Sequence, residues 1–125
     1  MTKNKAHYVD GFVLIVPKKN LRAYRAMAAG GAKTWRKYGA LDYKECVGDD
    51  LKPKGVVLTF PKMAKTKPGE VVVFSYITYK SRAHRDRVNA MVMKDMDKQA
   101  KKYKNTPMPF DMKRMAFGGF NVIVG

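Results

Sequence analysis

The stretch from Val71 to Tyr79 constrains the fold most strongly, because its residues, VVVFSYITY, are almost all β-branched or aromatic. Side chains of a strand alternate between the two faces of a sheet, and both alternating sets are largely apolar in this stretch. A strand that is apolar on both faces is typical of the centre of a sheet whose two sides are covered. The sequence therefore predicts a β-sheet with this stretch as a central strand.

The preceding half of the chain predicts a strand, a helix and a second strand. Tyr8 to Val16 is rich in β-branched and aromatic residues and stops at Pro17, which cannot donate to a sheet ladder. Lys18 to Tyr38 carries apolar residues at three- and four-residue steps and is followed by Gly39, which predicts an amphipathic helix that ends there. Ala40 to Gly48 alternates again and predicts the second strand.

The half that follows the central strand repeats this rhythm. Ser81 is a suitable cap for a second helix, and the helix pattern is followed by a last strand from Arg114 to Val124. The apolar stripe expected for this helix consists of Val88, Met91, Val92, Met96 and Tyr103. The predicted order is strand, helix, strand, strand, helix, strand.

A long connection separates the second strand from the central one. Residues 49–69 contain three prolines, two glycines and five lysines, a composition typical of a loop. We expect at most one short strand inside it, at Val56 to Phe60. This connection is the segment in which we expect mobility or a lid.

This order predicts a single α+β domain over residues 1–125, of the ferredoxin-like βαββαβ kind, with a short flexible basic tail at residues 1–6. Two helices can cover only one face of a four-stranded antiparallel sheet. The other face must meet water or a second sheet, and apolar side chains on both sides of the strands favour a second sheet. We therefore expect a homodimer of the dimeric α+β barrel kind, with a cavity between its sheets.

Charge and cysteine usage narrow the class of protein further. The chain carries 26 lysines and arginines against 10 acids, a net charge of +16, and the excess lies on the N-terminal tail and the two predicted helices. Its one cysteine, Cys46, cannot form an intramolecular disulfide, and the longest apolar runs have only strand length. The sequence therefore predicts a cytoplasmic protein without a membrane span.

Three blocks of sequence carry a resemblance to a known family. They are YVDGFV at residues 8–13, VVFSYITYKSRAHRDRVNAMVM at 72–93 and MPFDMKRMAFGGF at 108–120. With them the chain resembles the YbaA-like bacterial family, a domain of unknown function (1428) in the dimeric α+β barrel group. The resemblance implies the fold and the dimer, and it implies no established reaction. The lysine load at residues 62–67 and 94–104 departs from the family's usual pattern.

Two residues are candidates for proton transfer. Asp10 is an acid inside an otherwise apolar strand, where an unpaired carboxylate would be costly, so it could be an acid or base on the wall of the cavity. The alternative is a structural role as partner of Arg114 or of a backbone amide. His84 could be an acid or base near neutral pH, or a hydrogen-bonded packing residue on the apolar side of its helix.

Other polar residues on or beside the strands are candidates for ligand binding. They are Glu45, Ser75, Tyr76, Arg114 and Asn121. The first three and Asn121 could line the cavity or merely face the dimer interface, whereas Arg114 could bind an anion or pair across the interface. With His7, His84 and Cys46 as the only soft ligands, the spacing predicts no metal site, and no cofactor-binding motif is present.

The leading hypothesis is a dimeric protein that binds or transforms a small organic molecule in a cavity formed by the sheets. The sequence does not decide between a binding module and a cofactor-independent enzyme such as an isomerase or monooxygenase. The alternative is weak, non-specific binding of nucleic acid through the positive charge, although the strands lack the basic and aromatic pattern of RNA-binding sheets. The lysine excess could equally be an adaptation of the host with no ligand.

Overall fold

The computed structural model describes residues 5–125 and contains four strands and three α-helices in that range. Residues 1–4 of the predicted flexible tail lie outside the described part. The strands are β1 (Tyr8–Pro17), β2 (Asp42–Val47), β3 (Glu70–Tyr79) and β4 (Ala116–Asn121). The helices are α1 (Leu21–Lys37), α2 (Phe60–Ala64) and α3 (Arg82–Gln99), with 3-10 turns at Lys18–Asn20 and Met112–Arg114.

The four strands form one antiparallel sheet in the order β2-β3-β1-β4. This is the order of a ferredoxin-like domain, which confirms the predicted fold class. In the register of the sheet, Tyr8 lies opposite Tyr79 on one side and Asn121 on the other. The central position predicted for Val71 to Tyr79 is confirmed, since β3 pairs with both β1 and β2.

The helices α1 and α3 pack on one face of the sheet, which we call the covered face. Two apolar clusters fill this interface. One joins strand residues Tyr8, Ile77 and Tyr79 to Val88 and Val92 of α3, and the other joins Leu14, Val16 and Val73 to Tyr24 and Ala28 of α1. On each strand, alternate residues therefore point towards the helices.

The remaining strand residues form the opposite face, which we call the open face. Away from α2 it consists of Val9, Gly11 and Val13 of β1, Asp42, Lys44 and Cys46 of β2, Phe74, Tyr76 and Thr78 of β3, and Ala116, Gly118 and Phe120 of β4. Neither of the long helices lies over this face.

The connection, expected to contain at most one short strand at Val56 to Phe60, contains no strand there and instead forms the helix α2 from Phe60, which was not predicted. Thr59 caps this helix by accepting a hydrogen bond from the Lys62 amide at 3.3 Å, and Pro61 occupies its first turn, where proline favours a helix. The helix contacts β1 and β3, and two side chains of the open-face register, Ile15 and Val72, are buried at that end of the sheet.

The ends of the other elements differ from the predicted ones by a few residues. Gly39 follows α1 with a φ of 112°, so its predicted role as terminator is confirmed. Of the predicted stripe of α3, Val88 and Val92 are buried, but Met91 and Met96 are exposed, and Tyr103 is exposed beyond the end of the helix at Gln99. The strand β4 is shorter than predicted, because Arg114 belongs to a 3-10 turn and Val122 makes the last backbone hydrogen bond, to His7.

No helix within residues 5–125 has both the length and the apolar character needed to cross a membrane.

Candidate functional site

Asp10 lies on the covered face, and the prediction that it lines a cavity on the other side of the sheet is wrong. It is 3% exposed, and its Oδ1 accepts a hydrogen bond from Arg85 at 2.9 Å. Ser81 caps α3 and sets the start of the helix, which brings Arg85 over β1 in the first turns. The predicted alternative partner, Arg114, does not reach Asp10 and pairs with Glu70 instead.

Arg85 ties this buried carboxylate to its surroundings. Its guanidinium also donates to the Tyr8 hydroxyl at 3.3 Å and to Asp86 at 2.8 Å, and it stacks over the Tyr8 ring at 5.0 Å from the ring centre. Burial raises the pKa of Asp10, and Arg85 offsets this only in part. The carboxylate is therefore held inside the monomer by a cation and does not face a ligand space.

A second set of polar contacts lies beside this ion pair. The amide oxygen of Asn89 accepts hydrogen bonds from Trp35 Nε1 at 3.0 Å and from the Tyr79 hydroxyl at 3.3 Å. Burial raises the pKa of Tyr79, and the nearby Asp10 charge raises it further. The phenol therefore stays protonated at neutral pH and donates the hydrogen bond that links β3 to α3, while Trp35 links α1 to the same Asn89 oxygen.

His84 packs against the same region from the start of α3. Its Nδ1 accepts a hydrogen bond from the Lys80 backbone amide at 3.0 Å, and its ring meets the Tyr79 ring edge-on at 5.9 Å. Burial lowers the pKa of His84, and the positive charges of Lys80 and Arg87 lower it further. The imidazole is therefore neutral near pH 7, with one ring nitrogen committed to the backbone.

Glu45 and Ser75 also point towards the helices. The two carboxylate oxygens of Glu45 accept hydrogen bonds from the hydroxyls of Tyr24 and Tyr43, each at 2.7 Å. Burial raises the pKa of both tyrosines, and the hydrogen bonds to Glu45 raise it further. Ser75 is 4% exposed and lies opposite Phe12 in the sheet. The two hydrogen bonds of Glu45 join β2 to α1 through Tyr24 and brace it against Tyr43 of the same strand.

Arg114 and Asn121 lie at opposite ends of the last strand. Arg114 donates two hydrogen bonds to the Glu70 carboxylate, of 2.6 and 2.9 Å, and a third to the Lys65 carbonyl at 3.1 Å. This pairing lowers the pKa of Glu70 to about 2. Asn121 is the exposed final residue of β4. Of the seven predicted site residues, only Tyr76 belongs to the open face, so the structure does not bring them together as one site.

The feature that the sequence did not predict is a hollow on the open face. Gly11 lies beside Tyr76 on one side and Gly118 on the other, so two strand positions in a row have no side chain. The ring of Phe120 packs over Gly11, where an added Cβ would lie 3.5 Å from it, whereas a Cβ added at Gly118 would meet nothing within 4 Å. The hollow is therefore at Gly118. The exposed rings around the hollow are Phe74, 45% exposed, and Phe120, 61% exposed. The glycines were visible in the sequence, but only the register places them side by side.

No group of three or more histidines, cysteines or acids able to hold a metal ion occurs in the part of the chain that the structure describes.

The sheet order and the placement of both long helices on one face define a ferredoxin-like α+β protein whose second face is apolar. The family model described as "Protein of unknown function (DUF1428)" matches residues 7–112. The chain belongs to this DUF1428 family, which confirms the resemblance found in its sequence.

Relatives with similar sequences are named YbaA. The uncharacterized protein YbaA of Escherichia coli K12 is 44% identical over 117 residues, which cover 94% of this chain and 97% of that protein. YbaA of Shigella flexneri matches with the same identity and coverage. Among solved structures, a dimeric ferredoxin-like protein from an uncultured marine organism superposes with a TM-score of 0.50. It is 10% identical and the match covers 95% of this chain and 98% of that one, which supports the fold.

Proposed function

We propose that the chain forms a homodimer through the open face and binds a small organic molecule in the cavity between the two sheets. The observation that carries this proposal is the apolar open face itself. Phe74 and Phe120 are large apolar side chains that remain exposed although they belong to strands. Clusters of this kind on a soluble domain mark a surface that meets a partner or a ligand.

The distribution of charge favours this face over the rest of the surface. Among the strand residues of the open face, Lys44 is the only cation, and it pairs with Asp42 at 2.8 Å. With a net charge of +16, two copies repel each other through most orientations. The open face allows them to approach without bringing cations together. The same separation of lysines from exposed aromatics offers no support for binding nucleic acid by base stacking.

The hollow at Gly118 supplies space for a ligand within such a dimer. Two sheets pack about 10 Å apart when side chains fill the gap between them. At Gly118 no side chain fills that gap, and the ring of Phe120, which covers the neighbouring Gly11, borders it. Tyr76 lies on the other side of Gly11. The expected ligand is therefore small and mostly apolar, with Tyr76 as the polar group that could orient it.

The solved structure with the same fold supports the dimer, because that protein is a dimeric ferredoxin-like protein. In this proposal Asp10 and His84 have no direct contact with the ligand, since both lie against the helices. Cys46 is a free, exposed cysteine on the open face, consistent with the cytoplasmic location predicted from the sequence.

The dimer is tested by sedimentation of the wild type, Phe74→Arg and Phe117→Arg at micromolar concentration. Phe117 is also exposed, at 66%, but its position in the register belongs to the covered face, so it is a matched control. We expect dimers for the wild type and Phe117→Arg, and a folded monomer for Phe74→Arg. A monomeric wild type, or an equal effect of both substitutions, contradicts the proposed interface.

Binding is tested by screening a metabolite library for thermal stabilisation of the wild type, Gly118→Leu and Gly30→Leu. A side chain at either glycine meets nothing within 4 Å in the monomer, but only Gly118 lies in the hollow. We expect hits that Gly118→Leu abolishes and Gly30→Leu retains, and that Asp10→Asn and His84→Ala leave intact. A compound that still stabilises Gly118→Leu does not bind in the hollow. This outcome contradicts the proposed ligand site even if the dimer is confirmed.

A further inference from the structure

The connection between β2 and β3 contains a second cavity, distinct from the open face. Its volume is about 490 Å³, within the size range of small-molecule sites. Lys52, Lys62, Lys65 and Thr66 line it, and we call it the lysine pocket. The prolines Pro53 and Pro61 supply an apolar part of the wall.

Positive charge in this segment is not balanced by nearby acids. Residues 51–67 contain five lysines and no aspartate or glutamate. Within the described residues, no ion pair within 4.0 Å involves Lys52, Lys62 or Lys65. Glu70 follows in sequence, but Arg114 already holds both of its carboxylate oxygens. Like charges that share a pocket repel each other, and an anion would relieve that repulsion.

The wall of the pocket is held by hydrogen bonds of its own backbone. The amide of Thr66 donates to the Pro61 carbonyl at 2.9 Å, and Lys65 closes α2 with a left-handed φ of 55°. The Lys65 carbonyl accepts from Arg114 at 3.1 Å, and the Lys62 ammonium donates to the Val57 carbonyl at 3.2 Å. The lysines therefore project from a structured turn, which lowers the entropy lost when a ligand is bound.

One polar atom of a residue that lines the pocket has no partner within the described residues. The hydroxyl oxygen of Thr66 is shielded from solvent and makes no hydrogen bond. It is the one buried side-chain oxygen or nitrogen without a partner in the described residues. Buried hydroxyls are normally paired, because the loss of hydrogen bonds to water is costly. The hydroxyl is shielded from solvent, so it would gain a partner only when the Thr66 side chain turns towards an anionic oxygen in the pocket.

We propose that the lysine pocket binds a small organic anion, with a carboxylate or phosphate group between the lysines and the Thr66 hydroxyl and an apolar portion against Pro53 and Pro61. Ammonium groups and a hydroxyl supply charge-assisted hydrogen bonds to either head group. The prolines favour an anion with a hydrocarbon part over inorganic phosphate. This site is independent of the dimer cavity on the open face.

The test is isothermal titration calorimetry of the full chain with hexyl phosphate and hexanoate, with inorganic phosphate and hexyltrimethylammonium as comparisons. We expect saturable binding of at least one hexyl anion, weaker binding of inorganic phosphate and no binding of the cation. The ranking of the two hexyl anions identifies the preferred head group. Absence of saturable binding of both at millimolar concentration overturns the proposal.

Substitutions distinguish specific binding in the lysine pocket from non-specific attraction of anions to a basic protein. Lys52→Met and Lys65→Met should each weaken binding about tenfold, the loss expected for one charge-assisted hydrogen bond. Lys54→Met removes the same charge from the same connection but does not line the pocket, so it should change the affinity little. An equal loss in Lys54→Met overturns the site. Gly118→Leu should leave the affinity unchanged.

Thr66→Val tests the unpaired hydroxyl and keeps the shape of the side chain. Without ligand its melting temperature should equal or exceed that of the wild type, because a buried unpaired hydroxyl is removed. Its affinity for the bound hexyl anion should fall by severalfold. An unchanged affinity shows that the hydroxyl is no ligand and contradicts the proposed arrangement.

Discussion

The two faces of the sheet differ in the polarity and the exposure of their side chains. On the covered face, Asp10 is bonded to Arg85 and Glu45 to two tyrosines, so the acids that point inwards are all paired. On the open face the residues are mostly apolar, yet Phe74 and Phe120 remain exposed. The face with reactive side chains is closed, and the face that is accessible has few of them.

This contrast changes how a polar residue in an apolar strand should be interpreted. A buried carboxylate is stable only with a cation or several donors, and the first helix turns that cross the sheet can supply them. Asp10 and Glu45 satisfy this requirement within one chain. The residues that suggest catalysis in the sequence therefore hold the helices on the sheet, and the surface left for a partner is recognised by its exposed apolar area.

The largest expected effect comes from breaking the ion pair on the covered face. Arg85→Met leaves the Asp10 carboxylate buried without its cation, which should lower the free energy of unfolding at neutral pH by about 4 kcal/mol. Burial already raises the pKa of Asp10, so its ionised form is disfavoured in the folded state. Loss of Arg85 raises this pKa further, so the destabilisation should shrink as the pH falls and Asp10 takes up a proton. Urea unfolding at pH 7 and pH 4 measures both effects.

The control for this pair is Arg87→Met, which removes an exposed arginine from the same helix. It should change the free energy of unfolding by less than about 0.5 kcal/mol at both pH values. A loss in Arg85→Met that does not exceed that of Arg87→Met would show that Asp10 needs no cation, and the contrast between the two faces would fail.

Adjacent glycines of β4 point to opposite faces and offer a direct comparison. A methyl group at Gly119 would lie 2.7 Å from Cζ of Tyr8, whereas one at Gly118 would meet nothing within 4 Å. Gly119→Ala should therefore lower the free energy of unfolding by about 3 kcal/mol, through displacement of the Tyr8 ring from beneath Arg85. Gly118→Ala should change it by less than about 1 kcal/mol. Equal effects in urea unfolding would contradict the assignment of the faces.

The fold could be predicted from the sequence, because the spacing of apolar residues changes between the two-residue period of a strand and the period of about 3.6 residues of a helix, and these changes give the order of the elements. Pro17, Gly39 and Ser81 mark the ends of elements, and the structure has boundaries at or next to each of them. The face of Asp10 could not be predicted in the same way. In β1, the set that contains Tyr8, Asp10 and Leu14 is about as apolar as the set that contains Val9 and Val13. A shift of one residue exchanges the two sets, so only pairing with β3 and the helices decides which is covered.

The partners of the polar residues were also beyond the sequence. Arg82, Arg85 and Arg87 lie close together in α3, and nothing in their spacing shows which one reaches Asp10. The pairing depends on where the Ser81 cap starts the helix relative to β1. For α2 the signal was available, since Thr59 followed by Pro61 is a helix start, but the β-branched residues before it favoured a strand.

A smaller effect is expected where the covered face uses neutral donors. Tyr24→Phe removes one of the two hydroxyls that bond Glu45, so the free energy of unfolding should fall by about 1.5 kcal/mol, the contribution of a hydrogen bond to a charged acceptor. Tyr103→Phe, on an exposed ring, is the control and should have almost no effect. Thermal unfolding followed by circular dichroism compares the two. A loss no larger than that of the control would show that Glu45 does not depend on this bond.

The smallest expected effect concerns Glu70, at the α2 end of the sheet. Its position in β3 belongs to the open face, where most residues are apolar, but it forms an ion pair with Arg114. Arg114 lowers the pKa of Glu70 to about 2 from an ordinary value of 4.5. Because the folded-state pKa is the lower one, the stabilisation by ionised Glu70 is complete above pH 4.5 and is lost as the pH falls towards 2. Glu45 and Glu70 are the only glutamates, so carbon-detected NMR titration of labelled glutamate can resolve the Glu70 carboxyl. Arg114→Met should return the pKa of Glu70 towards 4.5, whereas a normal pKa of Glu70 in the wild type would show that the open face has an uncommitted acid at its edge.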